Sequence, residues 1–207
     1  MPATPQRCPW IGIDPGARWT GIVVRDGMTL LGWTVIDRKK IDPDSERHTP
    51  ATMEAVVEAV GLLADPATCR IAIEDADRPN PHVTRKNGNS LIDTRHIIDT
   101  ARLVGYLQCA FPHAVIVRTN GHGSQALASY PHGPDGIVTD TERANAIRRG
   151  RLMAPAPRNP PQCHARSGWD IAGAAATEAR IAEGRLRLAQ HRQAHARPAT
   201  TRRRRIS

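Results

Sequence analysis

Three acids in this chain stand where chemistry could use them. Asp14 ends the apolar run IGID (Ile11–Asp14) and enters a Pro-Gly turn, Glu74 ends IAIE (Ile71–Glu74), and Asp170 lies in SGWDIAGAAATEAR (Ser167–Arg180). A carboxylate at the end of a buried strand is costly unless something neutralises it. Either the acid holds a divalent metal, or the Gly turn sits beneath a nucleotide phosphate. Strand alternation favours the metal. Gly12 with Asp14, and Ala72 with Glu74, each place a small residue and then an acid on one face. If the two strands are neighbours, the acids fall within about 5–8 Å of one another. Like charges that close need a cation to stay ionised together. Asp170 is expected in the first turn of the last helix, where the macrodipole favours a negative charge. Gly173, Ala174 and Thr177 on the same face would let that helix lie close on a sheet. A capping box from Ser167 to Asp170 is the bland alternative. Three such carboxylates suit two Mg²⁺ ions, with Mn²⁺ able to substitute, and the hard oxygen donors argue against zinc.

The elements that must position these acids are readable in outline. Trp10–Asp14, Trp19–Arg25 and Met28–Asp37 read as strands, the last two joined through Asp26-Gly27, a two-residue hairpin signal. Residues 38–48 read as a charged loop. Thr49-Pro50 reads as an N-cap and first helical residue, and Met53, Val56, Val57, Val60 and Leu63 follow at helical spacing. Cys69–Asp75 is a short central strand. Arg78–Ser90 is a basic loop broken by Pro and Gly, and a helix of about twenty residues then runs to Phe111. Ala114–Thr119 is a further strand. After the turn Asn120–Gly123 come short helices near Ser124–Tyr130 and Thr141–Arg149. Met153–His164 reads as irregular, and the last helix starts near Gly168. Antiparallel strands followed by strand–helix alternation indicate an α/β fold: a mixed five-stranded sheet flanked by helices. The expected division is an extension over residues 1–9, one domain over 10–194, and a basic tail over 195–207.

Charge narrows the partners. The chain has 207 residues and a formal net charge of +9, and from Arg143 onward it holds 15 arginines, no lysine and three acids. That imbalance points to a polyanion, most simply nucleic acid. The four cysteines form no CxxC pair, so reduced thiols in a cytoplasm are expected rather than disulfides or a zinc knuckle. No apolar run is long enough to span a bilayer.

The Asp-Pro-Gly turn after the first strand, IAIE on the fourth, a long helix carrying ARLVG and the closing DIAGAAATEA helix together resemble RuvC-type Holliday junction resolvases of the RNase H-like superfamily. The resemblance covers roughly residues 10–180. It implies an RNase H-like fold, a homodimer, and Mg²⁺-dependent paired nicking of four-way DNA junctions. It also implies that Asp14 bridges two metals while Glu74 and Asp170 each ligate one. That family carries Asp or His three residues before its final Asp; here the position is Ser167, a weaker and neutral ligand. His164, three residues earlier, is the candidate substitute or proton shuttle. In the basic loop Arg78, Arg85 and Lys86 are expected on phosphates and His82 near a junction strand. His122 and Ser124, in NGHGS, are expected at a phosphate held by backbone N–H groups and a helix N-terminus.

Other readings stay open. Actin-like and sugar-kinase-like ATPases also begin with a strand, an acid, a Gly turn and a hairpin, but they need two copies of that unit and this chain has one. A nuclease acting on RNA or other branched DNA, like the YqgF group, fits the same charge distribution, as does a DNA-binding relative without activity.

Overall fold

The computed structural model describes residues 8–76, 94–118, 121–157 and 161–195. Strands β1 (Trp10–Pro15), β2 (Trp19–Asp26) and β3 (Thr29–Asp37) are followed by the short helix α1 (Arg38–Ile41), helix α2 (Pro50–Leu63) and strand β4 (Arg70–Glu74). Helix α3 (Thr94–Ala110), strand β5 (Val115–Val117), a 3₁₀ turn at Leu127–Ser129, helix α4 (Asp140–Arg148) and helix α5 (Gln162–His195) complete the order. The strands form one sheet in the order β3-β2-β1-β4-β5. β1 pairs antiparallel with β2 and parallel with β4, and β4 pairs parallel with β5. This is the α/β arrangement that the sequence pattern indicates, a mixed five-stranded sheet flanked by helices.

Alternation along the central strands builds two cores. Ile11, Ile13, Ile22, Val24, Ile71 and Ile73 face one side, where Val56 and Val60 of α2 and Leu103 and Leu107 of α3 close over them. Val23 faces the other side with Ala165 and Trp169 of α5 and with Leu127, Tyr130, Ile137 and Val138. α2 begins as expected: Thr49 and Thr52 cap one another reciprocally, with Pro50 at the first helical position.

The second face is built for close approach. A Cβ on Gly12 would fall on the carbonyl oxygen of Gly168, and one on Gly21 on the carbonyl oxygen of His164. Gly21 pairs with Asp14 across the β1–β2 ladder. α5 therefore lies backbone to backbone on the strands that carry the first acid. Arg25 fastens it further. Its guanidinium stacks 3.7 Å over the Trp169 ring, and its Nη1 donates 2.9 Å to the Trp169 carbonyl.

Three expectations need correction. Residues 38–41 form a helical turn, because Asp37 accepts from the Lys39 N–H and caps it. The stretch after Asn120 makes only the 3₁₀ turn Leu127–Ser129 rather than a helix from Ser124. α5 starts at Gln162, not near Gly168. Proline ends at Pro161, and Gln-Cys-His-Ala-Arg contains no helix breaker, so the helix begins as soon as the prolines stop. Asp170 thus sits in the third turn of α5, away from the terminus, and the Ser167–Asp170 capping box does not form.

The chain divides into two compact units, residues 1–176 and residues 177–207. All the site residues described below belong to the first. Among the described residues no helix is long and apolar enough to cross a membrane.

Candidate active site

The parallel register of β1 and β4 decides where the first two acids stand. Gly12 pairs with Ala72 and Ile13 with Ile73, so Asp14 and Glu74 occupy the next positions at the same ends of adjacent strands. Both face the side on which α5 lies. Asp14 is buried, and the Nδ1 of His164 lies 2.7 Å from its Oδ2. Glu74 is matched in the same way by His122, with Nδ1 2.9 Å from Oε1. An ionised carboxylate can only accept, so in both pairs Nδ1–H is the donor and Nε2 faces away from the acid.

The electrostatics follow from this crowding. Burial pushes the Glu74 carboxyl above its ordinary range, and the charge of Asp14 beside it acts in the same direction. The hydrogen bond that His122 donates to Glu74 raises the imidazole, which also feels the charges of Asp170 and Asp14. His122 thus senses all three acids.

Asp170 is held differently. Its Oδ2 accepts from the Gly123 N–H at 2.8 Å and from the Tyr130 hydroxyl at 2.9 Å, and its Oδ1 accepts from the Gln125 amide at 3.1 Å. Burial raises its carboxyl and pushes the Tyr130 phenol well above its ordinary value. Nothing in the spacing of Gln125 or Tyr130 marks them as partners of an acid 40 or more residues away; only the fold brings them there.

The turn from Gly121 to Ser124 is engaged within the protein. Gly121 and Gly123 have φ of 65° and 75°, which glycine adopts without strain. A side chain at Gly123 would also meet the Ser167 hydroxyl and the Cys163 carbonyl. The Gly123 N–H is engaged by Asp170, and the Ser124 hydroxyl donates to the Gly121 carbonyl. Neither group is left over for a phosphate, and His122 points at Glu74. Ser167 lies against Gly123, one helical turn from His164 and one from Asp170. The imidazole against Asp14 therefore comes from His164, on regular helix. Trp19 sits beside it, its ring 6.0 Å from that of His164 and covered by the Arg18 guanidinium at 4.2 Å. Arg78, His82, Arg85 and Lys86, and the arginines of the C-terminal tail, lie outside the described residues.

Among the described residues, no three His, Cys, Asp or Glu side chains stand close enough together to hold one ion as they are. The donor chemistry nonetheless fits a hard divalent cation. Asp14 and Glu74 present carboxylate oxygens from adjacent strand ends, and burial disfavours the charge of Glu74 and of Asp170, which a cation would relieve.

No family model matches the chain, and no curated protein does. Among solved structures it is similar to RuvC from Thermus thermophilus in complex with a Holliday junction substrate. That match has 17% identity and a TM-score of 0.47, covering 84% of this chain and 96% of that one. The same enzyme's structure in another determination gives 20% identity and a TM-score of 0.45 over the same shares. A ROK hexokinase from T. thermophilus gives 18% identity and a TM-score of 0.32, covering 58% of this chain and 37% of that one.

Proposed function

We propose that the chain is a divalent-metal-dependent endonuclease that resolves four-way DNA junctions by paired nicks. The observation that carries this reading is that Asp14 and Glu74 end adjacent parallel strands, each hydrogen-bonded by an imidazole, His164 and His122, while Asp170 of α5 holds the N–H of Gly123 next to His122. The motif resemblance and the basic C-terminal third support the choice of DNA as substrate. Paired nicks require two such sites, hence a homodimer.

Asp14 and Glu74 would hold the metal ions, Mg²⁺ or Mn²⁺, with Asp170 as the third carboxylate. When bound, the ions would polarise the scissile phosphate and stabilise the leaving 3′ oxygen. The protein's own groups do the rest. His164, oriented by Asp14 through Nδ1, has Nε2 to accept a proton from the attacking water. His122, oriented by Glu74, can return a proton on the other side of the cluster. Trp19 and Arg18, stacked together beside His164, form a surface on which a strand can rest.

A labelled four-way junction, a linear duplex and an RNA–DNA hybrid, each incubated with the protein and Mg²⁺ or Mn²⁺, test the reading. Symmetrical nicks confined to the junction are expected. Cleavage of the hybrid alone would replace it with an RNA-directed nuclease, and ATP hydrolysis without any cleavage with an ATPase. Mn²⁺ should also raise the unfolding temperature of the wild type and not of Asp14→Asn, a readout independent of cleavage.

A further inference from the structure

We propose that a pocket of about 490 Å³ between α4, the 3₁₀ turn and the start of α5 binds one unstacked nucleotide of a nucleic-acid strand. The proposal takes from the preceding section only that the partner is a strand; it does not depend on cleavage.

The volume falls in the range of small-ligand sites, about 300–1,000 Å³. Leu127, Pro155 and Pro157 give the lining apolar surface against which the face of a base can pack. Two amide side chains, Asn145 and Gln162, line the pocket as well. The Asn145 carbonyl oxygen accepts from Arg148, which leaves its NH₂ to donate to a base edge. Arg149 and Arg151 also line the pocket, are exposed, and have no side-chain partner among the described residues. Two guanidinium groups beside a base-sized slot match the phosphate that every nucleotide carries.

The pocket is held in shape from behind. Arg166 is fully buried; its Nη1 donates to both oxygens of Glu142, at 3.1 and 3.2 Å, and its Nη2 donates 2.6 Å to the Pro157 carbonyl. Glu142 and Pro157 both line the pocket. A single guanidinium thus ties two lining residues together, and it neutralises Glu142, whose charge would otherwise repel a phosphate. Little ordering is left for the ligand to impose.

The test is metal-free and uses no junction, so failure to nick leaves it intact and loss of nucleotide binding leaves the nuclease reading intact. The full chain is titrated calorimetrically with thymidine monophosphate and with inorganic phosphate. Fluorescein-labelled hexathymidylate is then bound and challenged with the monophosphate. Thymidine monophosphate is expected to bind at least tenfold more tightly than phosphate and to displace the hexamer. The Arg149→Ala/Arg151→Ala variant should lose at least fivefold. Arg102→Ala/Arg143→Ala removes the same charge outside the pocket and should lose less than twofold. Equal binding of phosphate and nucleotide, or equal losses in the two variants, would reduce the site to diffuse attraction and overturn the proposal. Monophosphate binding without displacement of the hexamer would make it a site for free nucleotides and overturn it as well.

Discussion

Replacing Asp14 by asparagine removes a charge without changing the shape of a site whose backbone is tightly packed. Cleavage should fall by about 10² or more, because the missing oxygen would hold a cation and orient His164. Junction binding should hold or tighten, since one negative charge facing phosphates has gone. Parallel nicking and gel-shift assays check both halves; wild-type cleavage by the variant would remove Asp14 from the site. At this scale the sequence was half legible. Asp14 and Glu74 declare themselves because each ends a short apolar strand with a small residue two positions before it. His122 does not. Its contact with Glu74 depends on β5 lying beside β4, and a local pattern around Asn120–Ser124 suggests a phosphate turn instead. Gln125 and Tyr130 carry no signal at all, being ordinary residues that the chain folds onto Asp170.

Elements set how precisely these side chains are held. Gly12→Ala would drive a methyl group into the Gly168 carbonyl of α5, so backbone must shift. A cost of about 3 kcal/mol or more in chemical denaturation is expected, typical of severe overpacking. The turn after Asp14 has its own support. His48 donates from Nε2 to the Gly16 carbonyl at 3.0 Å, and its backbone N–H donates 2.7 Å to Asp99. The second oxygen of Asp99 lies 3.9 Å from that Nε2, and burial holds His48 below the ordinary histidine range, with the Arg38 charge adding to the effect and Asp99 opposing it. A histidine depressed in the fold contributes stability above its unfolded value of about 6.5 and loses it as pH falls toward the folded value. The unfolding midpoint should therefore drop between pH 7.5 and 5.5 by more in the wild type than in His48→Gln, as urea titrations at both pH values would show. His122, which is raised, works in the opposite sense and is common to both proteins. The elements themselves were largely readable, through alternation in the strands and the Thr49-Pro50 start of α2. The onset of α5 was not. A proline-rich approach disguises a helix that starts the moment the last proline is passed, and that misplacement had put His164 on irregular chain.

Charge is a property of the whole molecule, and it is lopsided: the arginines gather after residue 142, where only three acids oppose them. Truncation before Arg197 removes five arginines and no acid. Junction affinity should weaken, and the slope of log affinity against log salt should flatten by up to about 0.9 for each phosphate no longer neutralised. Binding measured between about 50 and 200 mM salt checks this, and an unchanged slope would show that the tail touches no phosphate. Composition revealed this asymmetry directly, since it needs no fold. The mixed character of the sheet was readable too, from antiparallel strands followed by strand–helix alternation, but its order was not: that β1 and β4 are neighbours stood only as a condition.

The direct seating of α5 on Gly12 and Gly21 has a consequence for anyone wishing to redesign this protein. With backbone against backbone at these two glycines, the spacing from Asp14 to His164 cannot be tuned by repacking neighbours. Altered selectivity has to come from exchanging the terminal groups themselves or from rebuilding the loops, and libraries aimed at the layer between them should return mostly unfolded chains.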